Sequence, residues 1–153
     1  CEQPIAHWNY EGFKRLRERV SIPIMADESV FDHHDAFKLT AGGCCDYLNI
    51  KLAKSAGIHT ALKINAVAEA SGVACMLGCM METRLALTAA AHLVSARPNI
   101  RYADLDGHFE LKEDPIVGGA RWDGGTITLP DEPGIGAEVD PAFLARCEHT
   151  VVD

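Results

Sequence analysis

The sequence predicts an α/β protein built as part of a parallel β/α barrel, and three observations carry that prediction. Short apolar runs end on charged residues: Ile22-Pro23-Ile24-Met25-Ala26 leads into Asp27-Glu28-Ser29, and Tyr47-Leu48-Asn49-Ile50 leads into Lys51. Such runs, bounded by polar residues, suit strands buried on both faces. The ends also recur at near-constant spacing. Asp27 follows Glu2 by 25 positions, Lys51 follows Asp27 by 24, Cys79 follows Lys51 by 28 and Asp104 follows Cys79 by 25. Stretches with helical patterning fill the intervals, and a period of this size accommodates a strand, a helix and two connecting loops. In a β/α barrel the C-terminal strand ends carry the chemistry.

Each element has its own justification. Cys1-Glu2-Gln3-Pro4-Ile5 reads as the end of a strand and its loop, the rest of that strand lying upstream. Tyr10 to Val20 is an amphipathic helix, with Phe13, Leu16 and Val20 on one side. Ile22 to Ala26 is the second strand. Ser29 or Asp32 can cap a helix from Asp32 to Thr40, which Gly42-Gly43 ends. Tyr47 to Ile50 is the third strand. Ser55 to Ser71 is a helix with Ile58, Leu62 and Ala66 or Val67 on its apolar side, stopped by Gly72. Val73 to Leu77 is the fourth strand, followed by the loop Gly78-Cys79-Met80-Met81-Glu82. Arg84 to Ala96 is Ala-rich and strongly helix-forming, and Pro98 ends it. Arg101-Tyr102-Ala103 is the fifth strand, ending at Asp104-Leu105-Asp106. These elements amount to about half of an eight-stranded barrel.

The remaining segment changes character. Residues 113–140 are rich in Gly and Pro, and Ile127-Thr128-Leu129 can pair back across Asp123-Gly124-Gly125. Asp140-Pro141 opens a short helix reaching about Cys147. The expected division is therefore 1–108, the C-terminal half of a barrel, and 109–153, a tail packing outside it and returning toward a capping domain that this chain does not contain.

Composition excludes several classes. The chain has 153 residues, 48% of them hydrophobic, which suffices for a sizeable core. A net charge of −8 argues against a nucleic-acid surface, and Lys14, Arg15, Arg17 and Arg19 read as one solvated helix face. No apolar run has the ~20 residues needed to cross a bilayer. None of the six cysteines forms a Cys-x-x-Cys pair, so no structural zinc site is expected, and a reducing cytoplasmic compartment is. The first residue is Cys1 rather than Met, so the true N-terminus is expected upstream. Asp32-His33-His34-Asp35 looks metal-binding but sits at a helix start, where a capped, solvated turn is the expected reading.

The polar strand ends have a coherent chemistry. A hydrogen next to a carboxylate is a very weak acid, because its removal makes a dianion. A hard divalent cation on the carboxylate offsets that charge. Mg2+ takes oxygen ligands, and Glu2 and Asp27 at adjacent strand ends can supply two. Lys51, on the next strand, is expected to have its pKa lowered by the nearby Mg2+ and by partial desolvation, suiting it to act as a base. Asp104 and Asp106, two apart, would share one face of a regular strand.

Glu2 in Glu-Gln-Pro, Asp27 in Ala-Asp-Glu-Ser, Lys51 in Asn-Ile-Lys-Leu-Ala-Lys and the Asp104-Leu105-Asp106 triplet together resemble the C-terminal part of the enolase superfamily. The similarity lies with its muconate-lactonizing group and, within that, with the dipeptide epimerases, and it covers residues 1 to about 140. The resemblance implies a modified (β/α)7β barrel and Mg2+-dependent epimerisation of dipeptides such as L-Ala-D/L-Glu through an enediolate. Glu2 and Asp27 would be metal ligands and Lys51 one of two catalytic lysines. Asp104 and Asp106 would hold the substrate α-ammonium, Cys79 would make a backbone contact to substrate, and Glu28 would orient Lys51 or a metal-bound group. A third metal ligand and the second lysine would come from the rest of the parent protein. The alternatives are a muconate cycloisomerase-like or o-succinylbenzoate synthase-like reaction on the same fold, or an inactive half-barrel. Expected partners are a dipeptide, the remaining N-terminal part and, in a homo-oligomer, further copies of the same protein, with neither nucleic acid nor membrane.

Overall fold

Four parallel strands form the frame that places the polar strand ends. The computed structural model describes residues 1–150. In it β1 (Met25–Ala26), β2 (Tyr47–Lys51), β3 (Ala74–Gly78) and β4 (Ile100–Ala103) lie side by side in sequence order, each parallel to the next. Glu2 joins the edge through a parallel bridge to Met25, which registers a fifth strand end beside β1. The helices α1 (Tyr10–Arg17), α2 (His33–Ala41), α3 (Ile58–Ala70) and α4 (Arg84–Ala96) alternate with the strands. This is the parallel β/α arrangement that the period predicts.

Alternation along β2 sets the two faces of the sheet. Leu48 and Ile50 are buried in one cluster with Phe13 of α1, Leu39 of α2, Ile64 of α3, Leu87 of α4 and Leu77 of β3. Each side chain fully buried in this way contributes about 1.5–3 kcal/mol. Tyr47, Asn49 and Lys51 face the other way, in register with Met25, Met76 and Gly78 respectively.

Local chemistry explains the boundaries. Strand β1 is shorter than the apolar run that predicts it. Pro23 has no N–H, and the Ile24 N–H donates to Asp46 Oδ2 at 2.8 Å instead of to a strand. Helix α1 ends at Arg17, three residues short of Val20. Helix α3 starts at Ile58 rather than Ser55, because Ala56 (φ 53°) and Gly57 (φ 105°) turn the chain first and the Gly57 N–H closes on the Leu52 carbonyl. Asp32 caps α2 as predicted, its Oδ1 accepting from the N–H groups of His34 and Asp35. Among the described residues no group of three His, Cys, Asp or Glu could hold a metal, and the His33-His34 turn is a helix start.

The tail makes two small antiparallel pairs. Strand β5 (Ile116–Gly118) pairs with β8 (Ala137–Val139). Between them, β6 (Arg121–Asp123) and β7 (Thr126–Thr128) form the predicted hairpin, and Asp140 caps α5 (Pro141–Leu144). As expected for a segment lying outside the sheet, the tail continues no β/α period, and among the described residues it is fastened to helix α4. The Arg84 guanidinium donates to the Asp114 carboxylate and to the carbonyls of Ile116 and Gly118. Thr88 Oγ1, fully buried, accepts from the Ala120 N–H at 2.9 Å. Trp122, Ile127 and Leu129 pack against the main core.

Candidate active site

Asp27 is the centre of the polar cluster, and it is 5% exposed. It follows β1 directly, and the Gln3 amide ties its loop to the neighbouring strand end. Gln3 Oε1 accepts from the Asp27 and Ser29 N–H groups, while Nε2 donates to Ser29 Oγ and the Ile5 carbonyl. Gln3 holds an uncommon φ of 39° to do so.

Two lysines grip the Asp27 carboxylate. Lys51 Nζ donates to Oδ2 at 2.8 Å. Lys54 Nζ donates to Oδ1, to the Asp27 carbonyl at 2.5 Å and to the Asn49 carbonyl at 3.0 Å. The turn after β2 makes this double grip possible: the Ser55 N–H and Oγ both donate to the Lys51 carbonyl, coiling residues 51–55 so that Lys54 points back at Asp27. Burial pushes the Asp27 carboxyl up, but the hydrogen bonds from Lys51 and Lys54 outweigh it and hold it below the usual carboxylate range.

The lysines themselves shift in opposite directions. Burial pulls Lys54 down, and Asp27 does not fully offset it. Burial also pulls on Lys51, but the Asp27 bond and charge, with Glu2 and Glu28 nearby, raise it instead. The expected lowering counts both desolvation and a nearby Mg2+; among the chain's own groups the Asp27 ion pair outweighs desolvation and raises Lys51.

Glu2 sits one strand away, with Oε1 accepting from Asn49 Nδ2 at 2.6 Å. Glu28 is exposed and, among the described residues, acts on the two lysines through charge alone. Cys79 and Asp106 are neighbours, with Sγ 3.9 Å from Oδ1. Burial pushes the Cys79 thiol up. The idea that Asp104 and Asp106 share a face of a regular strand does not hold. Strand β4 ends at Ala103, Asp104 only continues the ladder through its N–H to the Leu77 carbonyl, and Asp106 precedes the 3-10 turn Gly107–Glu110. Both carboxylates are exposed at the same end of the sheet as Lys51.

Lys54 is the member that sequence reasoning overlooks. Its place three residues past a strand end is what a solvated loop lysine would also show, so only the fold distinguishes it. Glu2 and Asp27 fit a hard cation as part of a ligand set: both offer carboxylate oxygens, and Asp27 already receives positive charge on each oxygen.

The sequence pattern of the family described as enolase C-terminal domain-like matches residues 1–143. The chain belongs to that family. Its relatives agree in detail. An L-Ala-D/L-Glu epimerase of Clostridium acetobutylicum is 51% identical over 137 residues, covering 90% of this chain and 38% of that protein. Among solved structures, a substrate-liganded L-Ala-D/L-Glu epimerase from Bacillus subtilis matches with a TM-score of 0.87 at 46% identity, over 89% of this chain and 38% of that one. A dipeptide epimerase from Cytophaga hutchinsonii, complexed with Mg and the dipeptide D-Ala-L-Val, matches with a TM-score of 0.91 at 38% identity, over 95% of this chain and 40% of that one. The chain thus spans about two fifths of the length of the enolase-type proteins it matches. Among the described residues no helix is long and apolar enough to cross a membrane.

Proposed function

We propose that the protein containing this chain is a Mg2+-dependent epimerase of dipeptides, with Mn2+ able to substitute, and that this chain supplies two metal ligands, one catalytic lysine and part of the substrate cradle. One observation carries the reading: a buried carboxylate, Asp27, at a parallel strand end, with Lys51 on it from the next strand and Glu2 presented from the preceding one. The similarity to dipeptide epimerases supports it.

Glu2 and Asp27 would hold the Mg2+, which supplies positive charge to the substrate carboxylate as the neighbouring C–H is deprotonated. Lys51 takes or returns that proton. While paired with Asp27 it holds its own proton. Once Asp27 Oδ2 is engaged elsewhere, burial acts on Lys51 with less opposition and brings it toward a working base. Lys54 is spent on three oxygens and stays a fixed counter-charge. Asp104 and Asp106 would receive the α-ammonium group of the dipeptide, and Cys79 would border it.

The test is epimerisation of L-Ala-L-Glu by the complete enzyme with Mg2+, followed by polarimetry. Asp27→Asn, with the fold intact by circular dichroism, is expected to abolish turnover, as is excess chelator. Full activity in either case would sink the metal assignment.

A further inference from the structure

Asn49 lies at the heart of the strand ends with no part in the chemistry just described. It is 2% exposed, on β2, two positions before Lys51 and on the same face. Its Nδ2 donates to Glu2 Oε1 at 2.6 Å. Its main-chain carbonyl accepts from Lys54 Nζ, the same ammonium that grips Asp27. One residue is therefore joined to both carboxylates, directly to Glu2 and through Lys54 to Asp27.

The far end of the same amide is unusual. Asn49 Oδ1 is buried and has no donor among the described residues. It leans over Gly78, which stands beside Lys51 in the β2–β3 register. A methyl group added at Gly78 would come within 2.7 Å of Asn49 Oδ1 and 3.0 Å of Nδ2, and these atoms would be its closest contacts. The amide thus fills the space that a side chain at position 78 would take. A buried amide with one end unpaired stabilises a fold less than an apolar residue of its size, so stability alone does not account for an asparagine here.

We propose that Asn49 is a positioning residue of the metal site: its carboxamide holds Glu2 by Oε1 so that Oε2 is left for a divalent cation, and Gly78 keeps the space that this amide needs. The inference rests on reading Glu2 and Asp27 as ligands.

The test uses the complete enzyme and Mn2+ alone as the probe, with free Mn2+ read by electron paramagnetic resonance and Tm by calorimetry. Asn49→Leu is expected to weaken Mn2+ binding by about tenfold or more with Tm unchanged or raised. A merely structural role would lower Tm and leave affinity alone. Gly78→Ala, which displaces the amide without removing it, is expected to weaken Mn2+ binding as well. Placed on Asn49→Ala, the same Gly78→Ala change is expected to add less than about twofold. An equal loss in both backgrounds would overturn the route through the amide. Glu2→Gln separates the two levels. If it weakens binding while Asn49→Leu stays within about twofold of the parent, the positioning role is wrong and the ligand reading stands. If Glu2→Gln changes nothing, the ligand reading is wrong and the inference goes with it.

Discussion

Lys51 and Lys54 stand three positions apart and share one carboxylate, yet they differ in what they are free to do. Lys54 gives its ammonium to three oxygens. Lys51 is held by Asp27 alone and is the more open of the two, with 16% of its side chain exposed against 2%. Lys51→Ala in the complete enzyme is expected to lower epimerisation about 10²–10⁴-fold. Exchange of the substrate hydrogen with D2O should persist slowly from one epimer only; equal exchange from both would remove Lys51 from the mechanism. His108 supplies a second test at this scale. Burial against Phe109 and Trp122 lowers its pKa from the ordinary 6.5, with Asp114 opposing in part. The unfolded chain then takes up a proton more readily than the folded one. This contribution to stability is full above the ordinary value and declines as pH falls through it toward the folded pKa. Tm should drop as pH falls below the ordinary 6.5, and His108→Gln should flatten that drop. An unchanged slope would show that other groups dominate. Much at this scale was legible in the sequence: Asp27 and Lys51 sit together because each ends a strand one period apart. Lys54 was not legible, because its side chain returns to Asp27 through the turn that Ser55 closes on the Lys51 carbonyl, which leaves no periodic trace.

Helix α4 shows what element-level reading can and cannot do. Its span, Arg84–Ala96, matches the Ala-rich run bounded by Pro98, since local propensity and the stop residue agree. Asp32 and Asp140 are likewise readable as caps. What the run does not show is that α4 faces two ways, toward the sheet and toward the tail. Thr88 looks like a weak helix former within an apolar stretch, yet its hydroxyl donates to the Arg84 carbonyl and accepts the Ala120 N–H. Thr88→Val keeps the shape and orphans that buried N–H, so it is expected to cost about 1–3 kcal/mol. Asp32→Ala should cost about 1 kcal/mol by uncapping α2. Chemical denaturation measures both; a Thr88→Val loss no larger than that of a surface substitution would mean that the tail is not fastened there. Strand β1 is present but shorter than its apolar run predicts. Its apolar run is real, but Asp46 takes the N–H that a longer strand would have used.

Across the whole molecule the sheet is open. Strand β4 is an edge on which Arg101, Tyr102 and Ala103 are exposed, and Tyr102 is 52% exposed beside Tyr47 on the face opposite the helices. An unpaired parallel edge next to an apolar face favours association. These 153 residues expressed alone are therefore expected to self-associate and to lack epimerase activity; a monodisperse monomer in light scattering that turns over L-Ala-L-Glu would contradict both points. The nested tail has a different consequence. Strands β5 and β8 pair with each other on either side of the β6–β7 hairpin, whose tip, Gly124-Gly125, is exposed. A protease of broad specificity should find that tip first. A cut there leaves the two fragments joined by the β5–β8 and β6–β7 pairs, with the first fragment's β5 still fastened to α4 through Arg84. Nicked protein should run as two bands on a denaturing gel and keep its native mass.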